Sequence, residues 1–143
     1  MARLTHRPID LNALLEAVQG VDCGATAVFL GSVRQSDEDG PVEFIEYSAY
    51  EEMAESEFEA ILKETEKRSP GVRLVGMHRL GRVPVGEASI AVVAASGHRA
   101  EAFDALRFAV EEAKKRLPIW KKEFLEGGET RWRGNTPTEN VES

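Results

Sequence analysis

From Lys114 to Lys122 the chain reads Lys-Lys-Arg-Leu-Pro-Ile-Trp-Lys-Lys, five cations with no acid among them. The protein as a whole is acidic, with 18 Lys and Arg against 25 Asp and Glu in 143 residues and a net charge of −7. The imbalance is local: residues 1–96 hold nine basic and sixteen acidic side chains, whereas residues 97–134 hold nine basic and seven acidic. A short cationic block on an acidic chain suits a bounded anionic ligand better than a polyanion. Nucleic-acid binding is not expected, because five cations around one tryptophan form no extended stripe.

Other residues could join that block. On a helix predicted over 99–116, Phe103 is set at 0° with about 100° per residue; Leu106, Val110, Ala113 and Leu117 then form an apolar stripe. Lys114 falls on the edge of this stripe, and Lys115 points away. A lysine there snorkels to solvent, pairs with an anion or loses its proton. Ser96-Gly97-His98-Arg99 stands where a strand gives way to that helix. A helix N-terminus offers free N–H groups to anions, and glycine lets a ligand approach the backbone. An arginine in the first turn opposes the helix dipole unless an anion sits beside it. The alternative is a His-Arg pair that only caps the helix or sits in solvent. Arg34 ends an apolar strand, either as a binding residue at a loop mouth or as an ordinary exposed arginine.

The remaining candidates read more plainly. His78-Arg79 ends another strand, and the histidine is expected to be structural rather than catalytic. Cys23 is a small buried or loop thiol with no activating cluster near it in sequence. Phe108 lies off the helix stripe, where an exposed aromatic would mark a subunit contact. Trp120 and Trp132 read as packing residues. His6, His78 and His98 lack metal-ligand spacing, and no phosphate-binding glycine loop, GxGxxG, nucleophile elbow or HExxH is present. No metal and no bound cofactor are expected.

These residues need a scaffold. With 42% apolar and 30% charged residues the composition is that of a soluble globular domain. No apolar run approaches the roughly 18 residues of a membrane span, so no membrane association is expected. The N-terminus has no apolar core of a secretory signal, and the single cysteine excludes an internal disulfide. A reducing, cytoplasmic setting is the expectation. The spacing predicts helices over 10–18, capped by Asp10, over 51–67 and over 99–116, the last stopping before Pro118. Strands are predicted over 25–33, 42–50, 72–79 and 88–96, with a further strand, a Gly-Gly turn and a last strand near the end. The first two strands are expected to pair as a hairpin across the loop 34–41. The sum is an α+β sandwich of helices on a mostly antiparallel sheet, one domain over 1–135 with a flexible tail over 136–143.

The blocks GATAVFLGSVR (24–34), IEYSAYEEMA (45–54), HRLGRVPVGE (78–87), SGHRAEAF (96–103) and KKRLPIWKKE (114–123) follow one another in this order, with RWRGN (131–135) a looser match. On them the chain resembles the large, catalytic subunit of molybdopterin synthase. The resemblance implies an α/β hammerhead-type fold with an additional antiparallel β subdomain. It implies a homodimer with a small ubiquitin-like sulfur-carrier subunit docked at each end, a heterotetramer. The carrier's C-terminal Gly-Gly tail, as a thiocarboxylate, would deliver sulfur to cyclic pyranopterin monophosphate and build the dithiolene of molybdopterin. That activity is a sulfurtransferase. The family's pocket lysines fall on Lys114 and Lys121, its GxVR arginine on Arg34 and its His-Arg pair on His98 and Arg99. Some members add an arginine beyond the RW pair; Thr136 stands there, with Arg131 or Arg133 as candidates to replace it. The competing class is a non-enzymatic dimeric α+β module that binds an anionic metabolite or a ubiquitin-like partner. Such a module needs the cations, but not a lysine suited to proton transfer.

Overall fold

The computed structural model describes residues 1–37 and 40–134. Strand β7 (Ala88–Ser96) organises the first half of the fold. Its sequence ASIAVVAAS is apolar at nearly every position, so both faces must be covered. It pairs with β5 (Arg73–Arg79) on one edge and β2 (Ala25–Ser32) on the other, both antiparallel. β1 (Ala2–Thr5) adds to β5 in parallel, giving the order β1-β5-β7-β2. Ala91, Val93 and Ala95 meet α1 (Leu11–Val18), which is capped by the Asp10 carboxylate accepting from the Ala13 N–H at 3.2 Å. Val92 and Ala94 meet α2 (Glu51–Arg68) and α3 (Arg99–Arg116).

Small residues set how closely these helices approach. α3 buries Ala102, Ala105, Ala109, Val110 and Ala113, so its backbone lies near the sheet. Gly76 on β5 receives the Phe58 ring of α2; a Cβ there would lie 2.5 Å from the ring's Cζ. Arg116 closes the α2–α3 pair through Glu57, Glu64 and Glu112.

The second sheet is antiparallel. β4 (Gly40–Ala49) pairs with β8 (Ile119–Leu125) on one edge and β6 (Gly81–Pro84) on the other, and β9 (Thr130–Gly134) lies beyond β8. A two-residue strand, β3 (Ser36–Asp37), pairs with the start of β4. The α+β class with an additional antiparallel sheet therefore holds.

Three expectations need correction. The strands at 25–33 and 42–50 do not form a hairpin: β2 joins β7 and β4 joins β8. β7 is buried on both faces, whereas β4 buries Val42 and Ile45 but exposes Pro41 and Glu43, as suits a half-covered sheet. Phe103 does not belong to the buried stripe of α3; it is 61% exposed. The alanines at 102, 105 and 109 turn the buried face away from it, which leaves Lys114 exposed as well. Phe108 is half-buried beneath the Arg68 guanidinium, 3.9 Å from its ring centroid, so the exposed aromatic of this helix is Phe103. The tail 136–143 lies outside the described residues.

Candidate active site

β8 carries the centre of the site. Residues on a strand alternate between faces, so Lys121 and Glu123 share one face while Lys122 points to the other. Register places Tyr47 of β4 on one side of Lys121 and Arg133 of β9 on the other, and sets Arg131 opposite Glu123. Glu123 is buried and accepts from Arg131 Nε at 2.9 Å and Nη2 at 2.8 Å, with Arg133 Nε at 3.5 Å. These charge-assisted bonds tie β9 to β8.

α3 follows β7 and runs back along it, so its last turn returns to the end of β2, where Arg34 stands. That turn brings in Lys114, whose Nζ lies 5.9 Å from the centroid of the Phe29 ring. Lys121 is half-buried, and among the described residues its side chain has no hydrogen-bond or ion-pair partner. Burial holds its proton affinity below the ordinary lysine value; the charges of Lys114, Arg133 and Arg34 act in the same direction, and Glu123 opposes them. Four cations from four parts of the fold thus act on one place.

Beneath them the site is neutral. The rings of Tyr47 and His78 meet edge to face, with centroids 5.1 Å apart. His78 is buried, and its Nδ1 lies 2.8 Å from the Arg79 carbonyl oxygen. A carbonyl only accepts, so Nδ1 carries the proton. Burial lowers the His78 pKa to about 4; Lys114 and Lys121 add to this, against the pull of the backbone hydrogen bond. Burial raises the Tyr47 phenol, with Glu123 adding and a Ser89 hydrogen bond opposing. The sequence alone assigns no role to Tyr47 or Glu123 and only a structural one to His78. The period-two spacing of Lys121 and Glu123 was the available signal for the acid; nothing local marked Tyr47.

Not every expected residue joins this cluster. His98 and Arg99 are exposed at the N-terminus of α3, and among the described residues their side chains have no hydrogen-bond or ion-pair partner. Arg99 and Lys114 are fifteen positions apart, about 22 Å of helix at roughly 1.5 Å per residue. They stand instead by Gly24, whose N–H donates to the Ser96 carbonyl at 2.9 Å. The block 114–122 divides: Lys115 and Arg116 pair with acids on α2 and α3, and Lys122 lies over Phe124 and Trp132 on the opposite face of the second sheet. Arg131 pairs with Glu123, and of the two candidates from β9 it is Arg133 whose charge acts on Lys121. Thr136 lies outside the described residues. Cys23 is half-buried in the loop before β2, packed with the α1 cluster. Among the described residues no group of three His, Cys, Asp or Glu could hold a metal ion, and no helix is long and apolar enough to cross a membrane.

Fold and site together define a class: a small α+β protein in which a half-buried lysine stands among Lys114, Arg34 and Arg133 over the neutral rings of Tyr47 and His78. Residues 4–116 match the family described as MoaE protein, and the chain belongs to that family. It is 42% identical over 139 residues to a molybdopterin synthase catalytic subunit of Dictyostelium discoideum, spanning 92% of this chain and 85% of that one. The fold superposes on a molybdopterin synthase from Staphylococcus aureus with a TM-score of 0.89 and 32% identity, covering 92% of this chain and 96% of that one. It also resembles a chain of a complex of subunits 1 and 2 of molybdopterin-converting factor from Helicobacter pylori, with a TM-score of 0.73 and 27% identity over 87% and 85% of the two chains.

Proposed function

We propose that this chain is the catalytic subunit of a molybdopterin synthase. In this reading it transfers sulfur from the thiocarboxylated Gly-Gly terminus of a small ubiquitin-like carrier to cyclic pyranopterin monophosphate. The observation that carries the reading is Lys121, a half-buried lysine of lowered proton affinity beside Lys114, Arg34 and Arg133. Both reactants bring negative charge, a cyclic phosphate and a thiocarboxylate, and a cationic pocket holds both. A lysine that gives up its proton more readily than usual serves as acid, base or transient acyl acceptor. The naming of the relatives and the two-subunit complex from Helicobacter pylori support a small-subunit partner.

His98 and Arg99 enter this reading through a second copy of the chain. One helix cannot bring both of its ends to one pocket, but a homodimer can set the N-terminus of one α3 against the C-terminal turn of the other. Each pocket would then take Lys114, Lys121 and Arg34 from one protomer and the His-Arg pair from its partner. The deciding experiment incubates the protein with thiocarboxylated carrier and cyclic pyranopterin monophosphate and assays the dithiolene product. Carrier-dependent product supports the enzyme. Binding of both reactants without product would favour the non-enzymatic module.

A further inference from the structure

We propose that His78 is a positioning residue for Lys121: with Tyr47 it forms a dry, uncharged floor that holds the lysine half-buried beside Lys114. This rests on the assignment of Lys121 to the sulfur-transfer site. His78 is 7% exposed at the end of β5, in a row Leu4, His78, Ile90, Gly31 that crosses the whole first sheet. Its Nδ1–H is spent on the Arg79 carbonyl, which fixes both the tautomer and the ring plane. Held that way, the ring meets Tyr47 at an interplanar angle of 69°. Tyr47 is the direct cross-strand partner of Lys121. His78 therefore sits at the seam of the two sheets and reaches the lysine through one intervening ring.

The chemistry of the pocket gives the floor its purpose. Lys121 is faced by Lys114 from α3, Arg34 from the end of β2, Arg133 from β9, Glu123 from its own strand, Tyr47 from β4 and His78 from β5. Glu123 is shared with two arginines, so it neutralises Lys121 only in part. A water in place of the imidazole would solvate the ammonium and restore its ordinary proton affinity. A permanently cationic residue would add a further positive charge beside two lysines. An apolar residue would keep the floor dry but leave the Arg79 carbonyl without its donor. A buried, neutral histidine with a fixed tautomer satisfies all three conditions.

The test titrates the free protein with its lysines labelled at Cε and followed by NMR, the Lys121→Arg variant identifying the resonance. In the wild type Lys121 is expected to lose its proton at lower pH than the other lysines. His78→Asn keeps a donor near the Arg79 carbonyl but opens space for water; Lys121 should move up by roughly half a pH unit or more. His78→Phe keeps a ring against Tyr47, and Lys121 should stay low. In the synthase assay His78→Asn should lower kcat about tenfold while the KM for carrier changes less than about threefold. An unchanged Lys121 titration in a folded His78→Asn protein, or equal shifts in both variants, overturns the proposal. Wild-type protein that makes no product although Lys121 responds to His78→Asn would remove the sulfur-transfer reading and leave the positioning role standing.

Discussion

Arg99 and Lys114 stand in the first and last turns of one helix, about 22 Å apart along its axis. Two residues so placed serve one pocket only across a dimer. Lys114→Ala and Arg99→Ala proteins should each be inactive in the synthase assay. After unfolding and refolding as an equal mixture, about one quarter of the sites should be wild type, because half the dimers are mixed and each carries one intact pocket. Recovered turnover near that level supports a shared pocket. No recovery from mixed dimers shown to have formed means that His98 and Arg99 act elsewhere.

Glu123 holds Arg131 and Arg133 from a buried position, so removing its charge has two consequences. Glu123→Gln leaves cations short of their partner and should cost about 3 kcal/mol in urea unfolding. It also removes a negative charge that acts on Lys121, whose titration should fall further. A variant as stable as wild type would show that β9 is held mainly by its backbone ladder.

The helices were legible in the sequence because their caps and stops are local: Asp10 before α1 and Pro118 after α3 both act at their own positions. The turn at Gly127-Gly128 between β8 and β9 was legible for the same reason, both glycines having positive φ. Strand partnership was not, since a loop of polar residues after β2 does not say which sheet the next strand joins. β6 is absent from the predicted strands, because Gly81 and Pro84 are turn residues by type although here they bound a strand against β4. For the candidate site, Arg34, Lys114 and Lys121 are named by the sequence blocks and the fold sets their charges against one another, whereas the floor made by Tyr47 and His78 arises from the meeting of two sheets. The stripe of α3 was misplaced because alanine is a weak hydrophobic signal in sequence, yet it decides how near the helix comes to the sheet.

Acid should unfold this protein partly through His78. In the unfolded chain the imidazole takes a proton near pH 6.5, whereas in the fold it does so only at about pH 4. Between these values the unfolded state binds more protons, so stability is full above pH 6.5 and falls as the pH drops towards 4. The loss across the window is about 3 kcal/mol. His78→Phe lacks this group and should lose correspondingly less between pH 7 and pH 4.5 in urea titrations, the carboxylates being common to both proteins. Parallel losses would mean that His78 already takes its proton within the fold.

The last prediction concerns the first sheet, where α2 packs through a missing side chain. Gly76 faces Phe58, and a Cβ at that position would lie 2.5 and 2.7 Å from two carbons of the ring. Phe58 is fully buried and cannot swing into solvent. Gly76→Ala must therefore push α2 away from β5, an overpacking that costs about 1–3 kcal/mol. α2 also supplies Glu57 and Glu64 to Arg116, two residues beyond Lys114 on the last turn of α3. A displaced α2 should loosen that turn, so turnover should fall together with the melting temperature. Phe58→Leu in the Gly76→Ala background shortens the ring side and should recover part of both. A Gly76→Ala protein with unchanged melting temperature would show that the ring and the strand separate at no cost.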